Sequence, residues 1–345
     1  MLNNRTVLIL GAGASMRYGY PSGVELKKMI VRHLMPVQSP LYANASAINN
    51  HEIIDSDLDK LIPYLIQNCA FPIQTLKDFY TDFNESPRAS IDSFLQERKE
   101  FLEIGKILIA HAILRCENSG GFHDVVSNTE PSWYQYLFNE IVDQLVMQDQ
   151  KLSLTVITYN YDRSFESYFV NGLIKTYGMQ PSEAKRIFER IKVIHVHGTV
   201  GTHQWDVFAK PYGHSLLPIH IEQAANSLHI ISEEDAFVET YREVRSELYQ
   251  AENIFILGFG YHKANLERLN LTSYRGNIYS TRTGIEDLEL IELNRATEGK
   301  IIFGKDKNHG IVDFFRKEIT LNGIFAPEIM VFNNEMKRYN RIQVI

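Results

Sequence analysis

The chain has 345 residues, 44% of them hydrophobic, which is enough for two domains, or for one large domain with an insertion, around a sizeable core. Its 35 Lys and Arg against 42 Asp and Glu give a net charge of −7, which argues against a general nucleic-acid-binding surface. The two cysteines form no CxxC pair, which excludes a four-cysteine zinc site and gives no disulfide framework. We interpret Cys69 and Cys116 as buried thiols in a reducing compartment.

The sequence also bears on where the protein works. No apolar run approaches the about 20 residues needed to cross a bilayer. The N-terminus lacks the apolar segment and small-residue cleavage site of a secretory signal. We therefore expect a cytoplasmic protein with no membrane partner and no direct nucleic-acid partner.

The first predicted element is a buried strand over residues 6–10, followed at once by a glycine-containing turn. Glycine lets a backbone approach a pyrophosphate closely, and a parallel sheet presents such a ligand to the start of the next helix. The full dinucleotide fingerprint needs Gly at position 16, where this chain has Met16, and no acidic residue ends a second strand about 20 residues later. A tight turn without a ligand therefore remains an alternative. The turn consists of Gly11, Ala12, Gly13, Ala14 and Ser15.

The next helix begins near Ser15 or, after a loop, near Ser22, where Ser22 and Glu25 have the spacing of a capping box. Residues 36–150 then read as mostly helical, with loops over 36–50, 82–90 and 117–132. One long helix opens at Ser90. Two apolar stripes at helical spacing, which we interpret as core, consist of Phe94, Phe101, Leu108 and Ala112, and of Trp133, Leu137, Ile141 and Leu145.

Alternating strands and helices return after residue 151. This alternation predicts an α/β fold, a doubly wound Rossmann-like parallel sheet with a large helical insertion. The sheet domain would comprise residues 1–35 and 151–345, and the helical insertion subdomain residues 36–150. The predicted strands are 152–157, 192–197, 254–257, 277–281 and 300–303.

Asn160 and Asp162 follow the second predicted strand directly. Ligands of open α/β sheets bind at the carboxyl ends of the strands, and these two side chains offer a donor and several acceptors there. Alternatively, Asp162 caps the helix that we expect to begin at Arg163. The two roles are compatible.

Two histidines close the third predicted strand. In a strand His195 and His197 share a face, so they could bind a metal, but no Cys or third ligand lies at a nearby spacing and we predict no metal site. His197 precedes Gly198 at a strand end, where an imidazole can accept or relay a proton. We interpret His195 as a buried, hydrogen-bonded core histidine.

Taken in order, three motifs resemble the signature of the sirtuin-like family. They are the glycine turn with Gly19 and Pro21, the segment Thr158-Tyr159-Asn160-Tyr161-Asp162, and His197-Gly198. The second motif is similar above all to the bacterial branch that acts in antiphage defence. Gly258-Phe259-Gly260 resembles the late nucleotide-binding turn of that branch.

The resemblance implies a set of roles around NAD. The glycine turn would hold the pyrophosphate, Asn160 and Asp162 would surround the nicotinamide and its ribose, and His197 would face that ribose. Gly258 and Thr281 lie where the adenosine half could rest, Thr281 by strand order alone. The expected catalytic residues are Asn160 and His197, and the expected NAD-binding residues are Gly11, Ala12, Gly13, Ala14, Ser15, Pro21, Asp162, Gly258 and Thr281.

Two departures from the protein-deacylating members narrow the expected reaction. Pro21 is not followed by Asp-Phe-Arg, and two cysteines cannot build the four-cysteine zinc ribbon. The resemblance therefore implies an NAD⁺ glycohydrolase, an antiphage effector that depletes NAD when activated by self-assembly into a homo-oligomer or by a separate sensor protein. The alternatives are a non-catalytic module that senses NAD or ADP-ribose, a Rossmann oxidoreductase and a protein deacylase.

Overall fold

The computed structural model describes residues 2, 4–38, 61–118, 132–147, 151–201, 218–230, 234–324 and 332–335, and the statements below concern these residues. The chain divides into two compact units. The first comprises Met1–Tyr18, Gly121–Val196 and Asp235–Ile345, and the second Gly19–Gly120 and His197–Glu234. The predicted helical insertion, 36–150, thus corresponds to the second unit only up to residue 120.

The first unit is built on a six-stranded, all-parallel sheet with strand order β3-β2-β1-β4-β5-β6, which confirms the predicted α/β fold. Strands β1, β2 and β4 are buried along their whole length, as expected of apolar strands covered on both faces. The strands are β1 Thr6–Leu10, β2 Leu154–Thr158, β3 Lys192–His195, β4 Asn253–Leu257, β5 Asn277–Ser280 and β6 Ile301–Phe303.

Strand register aligns the motifs. Leu10 pairs with Thr158 on one side and with Leu257 on the other, so the residues after β1, β2 and β4 emerge at one edge of the sheet. The chain continues from β1 to β2 and β3 on one side, and β4, β5 and β6 lie on the other. The switch point, where open α/β sheets bind ligands, is therefore between β1 and β4.

Helices complete both units. In the first unit, helix residues Tyr241, Val244 and Leu290 share a buried cluster with one face of the sheet, and Phe315 packs against Phe255 with ring centroids 5.4 Å apart. The helices are α1 Gly23–Leu34, α2 Leu61–Gln67, α3 Ile73–Glu85, α4 Ile91–Glu97, α5 Leu102–Asn118, α6 Trp133–Met147, α7 Ser164–Tyr177, α8 Pro181–Phe188, α9 Pro218–Asn226, α10 Glu234–Gln250, α11 Lys263–Leu269, α12 Asp287–Ala296 and α13 Ile311–Asp313.

The local signals in the helical segment are largely confirmed. Ser22 caps α1: its hydroxyl accepts from the Glu25 amide at 3.2 Å, and the Glu25 carboxylate accepts from the Ser22 amide at 2.8 Å. The helix therefore begins at Gly23, and no α-helix begins at Ser15. Both apolar stripes are buried. Within the described residues, no helix has the length and apolar character required to cross a bilayer.

The prediction of one long helix from Ser90 is wrong, because the helix is interrupted at Arg98. Helix α4 ends at Glu97, and Arg98 leaves helical geometry with φ −115° and ψ 67°. The Arg98 guanidinium lies 4.8 Å from the centre of the Phe101 ring and bonds Asp82 and Glu100. These contacts hold the corner from which α5 starts.

The predicted loops were placed too early or fall partly outside the described residues. Helix α3 continues to Glu85 and stops because Ser86, the residue before Pro87, is extended. Residues 36–38 belong to a 3₁₀ turn, Met35–Gln38, and α5 extends to Asn118. The remaining parts of two predicted loops, 39–50 and 119–131, lie outside the described residues.

The third strand is shorter than predicted. It ends at His195, and His197 lies in a turn, so the expectation that His195 and His197 share one strand face is wrong. The physical cause is Gly198, whose φ is +70° and whose added Cβ would lie 1.9 Å from the Ser227 carbonyl oxygen. Gly198 pairs in an isolated antiparallel bridge with Leu228, which ends the parallel ladder.

Candidate active site at the carboxyl edge of the sheet

The glycine turn after β1 is a closed, ordered structure. Residues Ala12–Ala14 form a 3₁₀ turn, in which the Ala14 amide donates to the Gly11 carbonyl at 2.9 Å and the Ser15 amide to the Ala12 carbonyl at 3.0 Å. The Gly13 amide donates to the Gly258 carbonyl at 2.9 Å. The Gly11 amide donates to the Leu257 carbonyl at 3.0 Å. The turn is thus not the start of an α-helix, and four of its five amides are engaged in backbone hydrogen bonds.

The turn after β1 packs directly against the turn after β4. A Cβ on Gly11 would lie 2.5 Å from the Gly258 oxygen, and one on Gly13 would lie 2.8 Å from the Gly258 Cα. Gly258 itself has φ +59°, and its Cβ would meet the Ala14 nitrogen at 2.4 Å. Backbone packing alone therefore requires glycine at these three positions.

Thr281 holds the second of these turns in place. Its hydroxyl accepts from the Gly258 amide at 3.0 Å, and its own amide donates to the Ile256 carbonyl at 3.0 Å. The side chain is buried at the end of β5. Thr281 and Gly258 are thus direct neighbours of the glycine turn.

Asn160 joins the second motif to the first. Its side-chain amide donates to the Ser15 hydroxyl at 3.1 Å, and its backbone amide donates to the Thr158 hydroxyl at 3.1 Å. Asn160 and Ser15 are both buried. Residues 145 positions apart in sequence therefore form one polar cluster above β1 and β2.

Asp162 lies one residue before Arg163, the N-cap of α7, and its carboxylate binds the first residue of the helix, which is close to the structural role considered from the sequence. Its carboxylate accepts from the Ser164 amide at 2.9 Å and from the Ser164 hydroxyl, so the helix begins one residue later than expected. The Ser15 hydroxyl also hydrogen bonds to it. Burial raises the pKa of Asp162 above its ordinary value, and these hydrogen bonds oppose the rise.

His195 is a buried, hydrogen-bonded histidine, as we interpreted it. Its Nε2 lies 2.7 Å from a Glu166 carboxylate oxygen and its Nδ1 lies 3.3 Å from the Asn160 carbonyl oxygen. Burial lowers the pKa of His195, but the Glu166 carboxylate, the Asp162 charge and the Asn160 hydrogen bond together leave that pKa above its ordinary value.

The start of α6 forms an aromatic wall that sequence reasoning assigned only to the core. Trp133 donates its indole N–H to the Ala14 carbonyl at 2.7 Å. Tyr134 stacks on Tyr18, with centroids 3.9 Å apart, and its hydroxyl lies 2.7 Å from the Ser164 hydroxyl. Helical periodicity indicated that this face is buried but carried no signal for the turn that it contacts.

His197 and Pro21 belong to the second unit. There the His197 Nδ1 lies 3.3 Å from the His229 carbonyl oxygen, and the His197 carbonyl accepts from the His229 amide at 2.9 Å. Pro21 is half-buried. The first unit by itself brings together the glycine turn, Asn160, Asp162, Gly258 and Thr281.

The described side chains include no group of three or more His, Cys, Asp or Glu residues arranged to hold a metal ion. Neither a scan against protein-family models nor a search of curated proteins finds a match to this chain.

Proposed function

We propose that the protein binds NAD⁺ and cleaves the bond between nicotinamide and ribose. The observation that carries this proposal is the hydrogen bond from the Asn160 side chain to Ser15, which joins two of the motifs at the carboxyl edge of the sheet. A capped helix and a glycine turn are common separately. Here a buried amide connects the two after β1 and β2, at the carboxyl edge of the sheet where open α/β folds bind ligands.

The interlocked turns would receive the dinucleotide. Their backbone is ordered before any ligand arrives, which reduces the entropy cost of binding. Gly13 is exposed, so the turn presents backbone without a side chain in the way, and the exposed Arg17 follows within the next turn as a cation for a pyrophosphate. In this proposal the adenosine half lies towards Gly258 and Thr281.

The chemistry needs positioning more than acid catalysis. Nicotinamide in NAD⁺ is a pyridinium, so it leaves as a neutral molecule when the C1′–N bond breaks. The electron pair of that bond goes to the nitrogen and leaves an oxocarbenium-like ribose. Water then forms the C1′–O bond and loses a proton, which gives ADP-ribose. The site must orient the glycosidic bond, stabilise the cation and admit water.

Each side chain has a stated task in this scheme. Asn160 positions the ribose or the attacking water, and its bond to Ser15 fixes the plane of the amide. Asp162 holds the nicotinamide amide in addition to accepting a hydrogen bond from the Ser164 amide at the start of α7. His197 binds a ribose hydroxyl and takes up the proton.

The test is release of nicotinamide from NAD⁺ by the purified chain, followed by chromatography. Asn160→Ala and His197→Ala should each lower the rate by roughly 10²–10⁴-fold. Asn277→Ala is the matched control, because Asn277 is exposed at the amino end of β5, the opposite edge of the sheet. Normal cleavage by both site variants would refute the assignment.

The products separate the alternatives. NAD⁺ binding by calorimetry without nicotinamide release would indicate a sensing module. Acetyl-ADP-ribose formed from an acetylated peptide would indicate a deacylase, and hydride transfer would indicate an oxidoreductase. Free nicotinamide with ADP-ribose supports the proposed glycohydrolase.

We further propose that the enzyme is an antiphage effector that is silent until activated. Its turnover should rise when the products of neighbouring genes are added, or when the chain assembles into a homo-oligomer. Measuring NAD⁺ turnover and molar mass together, with and without those products, tests both routes. Turnover that depends on neither would contradict the regulated effector while leaving the glycohydrolase in place.

A further inference from the structure

One pair of buried ionisable side chains at the sheet edge has no part in the scheme above. Glu166 lies in the first turn of α7, and His195 is the last residue of β3. Both side chains are at most 6% exposed. The two therefore meet in the interior, where a charged pair is retained only with well-formed hydrogen bonds.

The hydrogen-bond partners of His195 match a doubly protonated ring when Glu166 is ionised. The Asn160 carbonyl oxygen can only accept, so the Nδ1 atom, 3.3 Å away, is a donor. An ionised Glu166 carboxylate can also only accept, so the Nε2 atom, 2.7 Å away, is a donor as well. An imidazolium satisfies both contacts at once.

The pair acts on the residue that the proposed reaction needs most. The Asn160 backbone is held at its carbonyl by His195 and at its amide by the Thr158 hydroxyl. Its side chain is held by Ser15. With three anchors, the Asn160 amide has one orientation before substrate binds.

We propose that His195 and Glu166 are a positioning pair, in which an imidazolium anchored by Glu166 fixes the Asn160 carbonyl and thereby aims the Asn160 side chain at the reacting ribose carbon. Neither residue touches the substrate. The catalytic part of this inference rests on the proposed NAD⁺ cleavage, whereas the structural part does not.

Two isosteric substitutions separate the two contacts of the imidazole. His195→Asn places an amide nitrogen near the position of Nδ1 and can keep the bond to the Asn160 carbonyl. His195→Gln places its amide nitrogen near the position of Nε2 and can keep the bond to Glu166. If the pair works through Asn160, kcat should fall about 10–100-fold in His195→Gln and less than about 5-fold in His195→Asn, with KM for NAD⁺ within about 3-fold in both.

A merely structural role of His195 predicts that His195→Asn loses more activity than His195→Gln, or that the two variants do not differ. In that case His195→Gln, which keeps the charged partner, would be the milder variant, or both would lose activity in proportion to folded protein. Either result overturns the inference. Glu318→Gln is the control, since the buried Glu318 contacts the partly exposed His309 at 2.5 Å after β6, and this substitution should leave kcat unchanged.

A second measurement does not depend on turnover. In protein labelled with ¹⁵N only at asparagine, the side-chain amide signal of Asn160, assigned with Asn160→Asp, should shift in His195→Gln and stay in place in His195→Asn. If the wild type releases no nicotinamide but this pattern holds, the proposed function fails and the positioning pair stands. An Asn160 signal unaffected by His195→Gln overturns the pair whatever the activity.

Discussion

The two units bury histidines in opposite ways. In the first unit, His195 lies between the Glu166 carboxylate and the Asn160 carbonyl and has a raised pKa. In the second unit, His33 of α1 and His111 of α5 pack edge to face with ring centroids 5.3 Å apart. Among the described residues, no hydrogen-bond partner reaches the Nδ1 atom of either ring.

The difference shows that partners, and not burial alone, decide the charge of an interior imidazole. Burial, together with the positive charges of Arg115 and Arg32, lowers the pKa of His33 to about 4. Burial, with His33 and Arg115, lowers the pKa of His111 to about 3. At His195 burial acts in the same direction, but the Glu166 carboxylate, the Asp162 charge and the Asn160 hydrogen bond together outweigh it. The same burial thus accompanies a raised pKa at His195 and lowered pKa values at His33 and His111.

The largest expected effect on stability comes from removing Glu166, the carboxylate in contact with His195. Glu166→Ala leaves the His195 imidazole buried without its carboxylate and should lower the free energy of unfolding by about 3–5 kcal/mol, measured by urea denaturation near pH 7. Glu267→Ala, which removes an exposed ion pair with Lys263, should change it by less than about 0.5 kcal/mol. A loss below about 1 kcal/mol in Glu166→Ala would mean that His195 is not charged.

The pH dependence of stability should distinguish the units by sign. The unfolded chain binds protons at His33 and His111 near pH 6.5, whereas the folded chain does so only at about pH 4 and about pH 3, so their stability contribution is complete above pH 6.5 and is lost as the pH falls. Between about pH 7 and about pH 5, the wild type should lose about 4 kcal/mol more than the double variant His33→Leu/His111→Leu, about 2 kcal/mol for each histidine.

His195 should respond in the other direction. Its folded pKa is raised, so its contribution is present below pH 6.5 and is lost as the pH rises through the folded value. In the double variant His33→Leu/His111→Leu, the urea midpoint should therefore still decrease as the pH rises above 6.5. If stability falls equally with decreasing pH in the wild type and in the double variant, His33 and His111 do not have the lowered pKa values given above.

A smaller effect should follow when a neutral group of the first unit is made unsatisfied. Trp133→Phe keeps the aromatic ring but removes the N–H that donates to the Ala14 carbonyl at 2.7 Å. We expect a loss of about 1–2 kcal/mol in thermal or urea unfolding, because a buried carbonyl is left without its donor. Tyr177→Phe, at an exposed position, is the control. Equal stability of Trp133→Phe and the wild type would mean that this bond does not matter.

The smallest effect should come from removing an imidazole of the second unit whose Nδ1 atom has no hydrogen-bond partner among the described residues. His111→Leu replaces a buried polar ring with an apolar side chain and should leave stability within about 1 kcal/mol of the wild type, or raise it, near pH 8. The urea midpoint of His33→Leu under the same conditions provides the comparison. A loss above about 2 kcal/mol would show that the imidazole makes a hydrogen bond essential to the second unit.

Parts of the candidate site were predictable from the sequence and parts were not. Asn160, Asp162 and Ser15 could be singled out because each follows an apolar strand at a recognisable turn. Their contact could not, because 145 residues separate Asn160 from Ser15. His195 could be interpreted as a hydrogen-bonded core residue, but its contact with Glu166 could not be predicted, because 29 positions separate the two residues.

The sequence by itself determined the strands, the parallel α/β alternation, the cap of α1 at Ser22 and the buried stripe of α6. These features depend on side chains within one or two turns of each other, where hydrophobic period and short-range hydrogen bonds decide the outcome. Only the tertiary structure decided that Gly11 and Gly13 interlock with Gly258, that β3 ends at His195 and that the pKa of this histidine is raised. Each of those outcomes depends on atoms from distant parts of the chain that meet in the interior. Close packing and the local electrostatic field decide the result there, and neither can be read from a short segment of sequence.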